Sequence, residues 1–187
     1  GAFRVAGTDR EITLHDLARH ADSKLNVAVT EKADGPTYPN GCHICEVEID
    51  PDTGVTTLAR YILVDDVGTV INPMIVKGQL QGGIVQGAGQ VLMEQIVFDQ
   101  DGQLITGSLL DYTMPRADDM PMFDIETHPV PTTLNPLGVK GAGEAGTVGA
   151  LPVIVIATLD ALRPLGVKHI DMPLTSERVW RAMKELS

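Results

Sequence analysis

The segment Asn135-Pro-Leu-Gly138-Val-Lys140-Gly141-Ala-Gly143-Glu144-Ala-Gly146 sets one carboxylate, Glu144, among glycines 138, 141, 143 and 146, with Lys140 four residues upstream. Glycines let a backbone press against a bulky ligand and leave N–H groups free to donate to anionic oxygen or sulfur. The apolar stretch that follows predicts a helix whose positive end faces the same loop. A glutamate held there away from bulk water suits general-base work, because burial would raise its pKa towards the working range. An exposed Glu on a mobile glycine-rich loop is the plainer alternative, and composition does not separate the two.

Other spacings invite chemistry and lose it on inspection. Gly141 to Gly146 matches G-x-G-x-x-G, but a dinucleotide site needs a buried strand ending at the first glycine. Pro131 and Pro136 deny the preceding segment a central strand. Asp160, where a ribose-binding acid might be sought, falls inside a predicted helix. Cys42-His43-Ile44-Cys45 is a C-x-x-C on one predicted strand, so its cysteines face opposite ways and cannot share a metal. His43 is expected to be a hydrogen-bonded structural histidine. Asp65 and Asp66, adjacent at a strand end, also diverge and read as a solvated turn.

The elements that position these residues follow from pattern. Thr13 and Asp16 form a helix start, and Leu14, Leu17 and Ala18 share one face. Positions 33–41 form a loop. Cys42 to Ile49, a turn at Pro51-Asp52-Thr53-Gly54, and Val55 to Val64 predict a β-hairpin. Asn72-Pro73 predicts an N-cap and first helical residue, with the helix running from Met74 to Glu94. Its glycines at 78, 82, 83, 87 and 89 each cost about 1 kcal/mol against alanine, which implies another backbone or a ligand very close. A smaller hairpin is expected at Ile96–Phe98 and Leu104–Ile105, and a strand at Phe123–Val130. Thr147–Leu162 predicts a wholly apolar and hence buried helix, and Thr175 caps a last amphipathic one. Mixed order without a βαβ repeat makes the fold class α+β. The expected organisation is one unit over 1–187, with an N-terminal helix and linker (1–35) and a core (36–187) carrying the Gln79 helix and the Glu144 loop.

Bulk properties bound the function. The 187 residues carry 14 Lys and Arg against 25 Asp and Glu, a net charge of −11. No basic stripe is available to displace counterions from a phosphate backbone, which argues against nucleic acid. Two cysteines build no disulfide framework, and a cytoplasmic, reducing setting is expected. The longest apolar run, Leu151 to Leu159, is too short to span a bilayer, and Gly1-Ala2-Phe3-Arg4 lacks the apolar core of a signal peptide.

Three ordered segments carry a family resemblance: Val64-Asp-Asp-Val-Gly-Thr-Val-Ile-Asn-Pro73, Gly78-Gln79-Leu-Gln-Gly82-Gly83-Ile-Val-Gln-Gly87-Ala-Gly89, and the Asn135–Gly146 loop. Together with Val5-Ala-Gly-Thr-Asp-Arg10 and Pro173-Leu-Thr-Ser-Glu-Arg-Val-Trp-Arg181, they resemble the C-terminal part of the molybdopterin-binding large subunit of the xanthine dehydrogenase/aldehyde oxidase family. The carbon monoxide dehydrogenase-like bacterial large chains look most similar. The resemblance implies a molybdenum hydroxylase that oxidises an aldehyde or an N-heterocycle carbon with water as oxygen donor. It implies Glu144 as general base. It also implies Gln79 as a pterin contact, Lys140 near the cofactor or orienting the Glu144 loop, and Gly82, Gly83, Gly141 and Gly143 lining the approach.

The implied cofactor is molybdopterin with molybdenum, in its cytosine dinucleotide form. FAD and [2Fe–2S] clusters would sit on a medium and a small partner subunit, because two cysteines cannot ligate a cluster. Family large subunits are several times longer than 187 residues. The missing initial methionine fits an excised piece, expected to hold no molybdenum and to turn over nothing without the N-terminal remainder of the subunit. Substrate-selecting loops, including the copper-bearing cysteine loop needed for carbon monoxide, lie outside this sequence. Two other outcomes are kept open: a non-catalytic assembly module, and a dinucleotide-binding domain.

Overall fold

The computed structural model describes residues 1–21, 25–30 and 34–185. The chain divides into two compact units, Gly1–Ala33 and Asp34–Ser187. In the first, β1 (Ala2–Arg4) pairs antiparallel with β2 (Glu11–Thr13), which runs into α1 (Leu14–Ala21). Thr13 caps that helix as its sequence predicts: its Oγ1 accepts from Asp16 N at 3.1 Å and donates to the Asp16 carboxylate at 2.7 Å. No residue of α1 is fully buried.

The second unit is built on the predicted hairpin. β3 (Asn40–Ile49) pairs antiparallel with β4 (Thr56–Asp66), and β5 (Phe123–Thr127) pairs parallel to the other side of β4, giving the order β3-β4-β5. A parallel neighbour requires a crossover, and α2 (Pro73–Leu92) lies within it. The hairpin register slips once: Glu46 faces Arg60 while Val47 faces Leu58, leaving Ala59 as an extra residue. On β4 the buried positions accordingly change phase, from Leu58 to Tyr61, Leu63 and Asp65.

α2 starts as Asn72-Pro73 requires, with Asn72 Oδ1 accepting from Met74 N at 3.1 Å and Ile75 N at 3.2 Å. It crosses α3 (Ala145–Leu162), which in turn packs on β3. Glycines make the crossing close. A Cβ on Gly83 would lie 3.0 Å from Thr147 N, one on Gly87 2.6 Å from the Ala150 side chain, and one on Gly146 would collide with the Leu80 carbonyl. Leu80, Ile84, Ala88 and Val91 of α2, Ala150 and Ile154 of α3, and Tyr61 and Leu63 of β4 form the core, joined by Val179 and Met183 of α4 (Ser176–Glu185). The α+β class holds.

Three elements differ from expectation. α3 begins two residues early and is buried along a stripe, Gly146, Ala150, Ile154, Thr158 and Leu162, not all round. Val148 and Ile156 on its outer face are 66% and 63% exposed. Pro152 and Thr158 do not interrupt it, and with the turn after it, residues 145–165 are long and apolar enough to cross a membrane by length and composition. Here its inner stripe packs on protein. The smaller hairpin shrinks to one bridge, Phe98↔Leu104, and an Ile105 N–Val97 O bond of 2.8 Å. Ile96, Phe98 and Ile105 are exposed, so the hairpin has no buried face to sustain a ladder. β5 stops at Thr127 because the chain then turns to Asp66, whose Oδ1 accepts from Val130 N at 2.9 Å.

Candidate active site

β4 ends in the two aspartates, and each faces its own surroundings. Asp66 is buried at the centre of a knot. Its carboxylate accepts from Gly68 N at 2.8 Å, Val130 N at 2.9 Å and Lys140 Nζ at 2.5 Å. Lys140 is itself largely withdrawn from water. Burial works to raise the Asp66 pKa, but the three donors and the lysine charge outweigh it and hold the carboxyl at about 2.

Backbone ties complete the knot: Lys140 N donates to Val67 O at 2.9 Å, and Thr69 N donates to Gly138 O at 2.9 Å. Gly68 and Gly138 both take the left-handed region, with φ of 67° and 68°. A Cβ on Gly68 would strike the Gly138 carbonyl. These two positions therefore demand glycine for conformation and for space.

The knot fixes the segment that carries Glu144, which stands at the N-cap of α3 and makes no capping hydrogen bond through its side chain. Gln79 secures the loop from the other side, its Nε2 donating to Gly143 O at 2.6 Å. Thr147 Oγ1 donates to Gly83 O at 3.0 Å, pinning the first turn of α3 to α2. Glu144 is exposed, not buried as general-base tuning by desolvation would require. Its carboxylate is left uncommitted on the wall of a cavity of about 560 Å³.

The cavity wall also includes Gly141, Gly143, Tyr38, Val148, His43 and Asp65. His43 is structural in the expected sense: its Nδ1 pairs with the Tyr61 hydroxyl at 2.6 Å, and the rings meet edge to face. Burial lowers the His43 pKa, which favours the neutral ring. Cys42 faces solvent and Cys45 faces inward, as strand alternation demands. Burial, with Glu46 nearby, pushes the Cys45 thiol up to about 11, so it is no ready thiolate.

The aspartate pair corrects the sequence expectation. The two side chains do diverge, but neither is solvated: Asp65 is 2% and Asp66 8% exposed. Asp65 follows Tyr61 and Leu63 on the inward face and sits opposite Gly41, where a Cβ would lie 2.6 Å from Asp65 Oδ1. Its Oδ2 has no hydrogen-bond partner among the described residues, and burial raises its pKa. The spacing Tyr-x-Leu-x-Asp across from a glycine was a readable signal for an inward carboxyl.

The glycines of α2 also divide. Gly83 is occupied by the α3 backbone, whereas a Cβ on Gly78, Gly82 or Gly143 would meet nothing within 4 Å. Gly78 and Gly82 leave open space on α2 on either side of Gln79, whose side-chain amide is committed to Gly143 O.

A molybdopterin cofactor-binding domain family model matches residues 1–121. The chain belongs to this family. The carbon monoxide dehydrogenase large chain of Hydrogenophaga pseudoflava is 42% identical over 98% of the chain and 24% of its own length. The nicotine 6-hydroxylase large subunit of Paenarthrobacter nicotinovorans is 43% identical over 80% of the chain and 18% of its own length. The crystal structure of a Cu,Mo-CO dehydrogenase in its carbon monoxide reduced state superposes with a TM-score of 0.82 at 32% identity, covering 99% of the chain and 24% of that structure's chain. This molybdopterin-binding domain thus spans about a quarter or less of the length of these relatives. The faces of Gly78 and Gly82 beside Gln79, and Gly141 and Gly143 on the cavity wall, leave the space without a side chain in the way that a bulky group of the kind the family binds requires.

Proposed function

We propose that the chain is the base-bearing part of a molybdenum hydroxylase acting on an aldehyde or an N-heterocycle carbon. The observation that carries this is Glu144, an uncommitted carboxylate held on a cavity wall by two independent ties, Lys140–Asp66 and Gln79–Gly143. Gln79, Gly82, Gly83, Gly141 and Gly143 line the cofactor side, with Gly83 acting through the helix crossing, Gln79 through its tie to Gly143, and Gly82, Gly141 and Gly143 through the space they leave. Lys140 serves as a positioning residue, because its ammonium is committed to Asp66.

When bound, the molybdenum cofactor, in its cytosine dinucleotide form, supplies the two-electron oxidation. The Glu144 carboxylate receives the proton released as the water-derived oxygen bonds to the substrate carbon. Gln79 holds the Gly143 carbonyl and hence the aim of the adjoining carboxylate. Small and medium partner subunits would carry the [2Fe–2S] and FAD groups that take up the electrons. The N-terminal remainder of a large subunit completes the site, so the 187 residues alone hold no molybdenum. The acidic balance and two free thiols suit the cytoplasm.

The test is Glu144→Gln in the full-length complex. Turnover should fall by roughly 10²–10⁴-fold, with molybdenum and pterin content unchanged. Near-normal turnover in that variant would overturn the assignment.

A further inference from the structure

Glu144 makes no capping hydrogen bond through its side chain, so the peptides on either side of it set its aim. The one before it is held from α2, where Gln79 Nε2 donates to Gly143 O at 2.6 Å. The one after it, at Ala145, is reached from the sheet. His43 of β3 stands half-buried on the wall of the same cavity, and its Nδ1 pairs with the Tyr61 hydroxyl at 2.6 Å. That leaves Nε2 for α3. Nε2 and Cδ2 press on Gly149, one turn beyond Ala145 on the same helix face, where any Cβ would collide with the ring. Burial lowers the His43 pKa, whereas a hydrogen bond with the Ala145 backbone works to raise it. A bond that favours the protonated ring is one in which the ring donates, so the Ala145 carbonyl accepts. A neutral imidazole has one donor and one acceptor nitrogen. With the proton on Nε2, the Tyr61 hydroxyl donates to Nδ1 and fixes that tautomer. Tyr61 is fully buried with its ring edge to face on Phe123 of β5, so the relay is anchored in the core.

We propose that His43 is a positioning residue for Glu144, holding the Ala145 carbonyl from the sheet as Gln79 holds the Gly143 carbonyl from α2. The proposal rests on the assignment of Glu144 as base and adds how that base is aimed. Both peptides flanking Glu144 are then clamped by side chains of different elements, while its own carboxylate stays free for a proton. Proton transfer needs the carboxylate within hydrogen-bond reach of the reacting group. Releasing one clamp lets the first turn of α3 shift and carries the carboxylate out of that reach. The same contact accounts for a glycine that the crossing with α2 does not need, since the space beside Gly149 is filled by the imidazole.

The test is steady-state turnover by the full-length complex, with quinoline or benzaldehyde as probe, whichever the wild type oxidises faster. His43→Leu should lower kcat about tenfold, while KM and molybdenum content stay at wild-type values. His43→Gln, whose amide N–H can still donate to Ala145 O, should recover most of that loss. Gly149→Ala, which drives the ring off α3 without altering it, should reproduce His43→Leu. The deciding variant combines His43→Leu with Glu144→Gln: a residue that acts only through Glu144 should cost nothing further there. Wild-type kcat in His43→Leu, equal losses in His43→Leu and His43→Gln, or an undiminished loss beside Glu144→Gln would overturn the proposal. Should His43→Leu lose its molybdenum, Gly149→Ala takes its place in the same comparison. Near-normal turnover in Glu144→Gln alone would instead remove the base, so the two failures are told apart.

Discussion

Two sites share the end of β4, and they treat the same functional group in opposite ways. On one face Asp66 is surrounded by donors, charged and held at about 2. On the other, Asp65 is equally dry yet lacks a partner for Oδ2, and its pKa is raised. The first is a structural tie that locks the Glu144 segment; the second is a carboxyl buried with one oxygen unpaired among the described residues. Burial is common to both, so the partners decide which carboxyl holds its charge and which is pushed towards keeping its proton.

The contrast can be broken most forcefully at Lys140. Lys140→Met leaves Asp66 buried without its cation and should cost about 3–5 kcal/mol, read as a lower urea midpoint. The double variant with Asp66→Leu should recover part of that loss. Acid tests the same tie without mutation. The Asp66 pKa in the fold lies below its unfolded value, so its contribution is present above about pH 4 and is lost as pH falls towards 2. It amounts to about 2 kcal/mol, measurable by chemical denaturation across that interval.

Asp65 should slope the other way. Its pKa is raised in the fold, so the native state favours the proton and stability falls as pH climbs above the ordinary carboxylate range. Asp65→Asn should therefore gain on wild type as pH rises, seen as a wider gap between their melting points at pH 8 than at pH 5. The smallest effect sharpens the parallel contrast in α2. Gly82→Ala meets open space and should stabilise by roughly 1 kcal/mol while lowering cofactor content of the full-length complex. Gly83, pressed on Thr147, admits no such gain.

The elements were largely legible because local signals and tertiary contacts agree. Asn72-Pro73 caps α2, Thr13 and Asp16 begin α1, and the Pro51–Gly54 turn joins β3 to β4. What composition could not show was long-range partnership. Nothing near Asp65-Asp66 in sequence announces Lys140, seventy-four residues beyond Asp66, so pattern alone makes a solvated turn the safer account. The α2 glycines implied a close neighbour, but which of them met helix and which met space depended on the crossing with α3. α3 itself looked buried all round because hydropathy does not report which face finds a partner. The exposure of Glu144 was illegible for a similar reason: a glycine-rich loop fixes where a side chain can be, not what covers it.

The single extra residue in the β3–β4 hairpin has an outcome far from where it sits. Between Leu58 and Tyr61 it moves the inward set of β4 from even to odd numbers. Were Ala59 kept but paired in a regular ladder, the odd and even positions beyond it would trade faces, and Asp65 and Asp66 would exchange surroundings. The surroundings at the strand's end thus depend on a bulge six residues earlier: deleting Ala59 would leave every later pair in place, whereas ironing out the bulge with Ala59 retained would turn both carboxyls over without touching either.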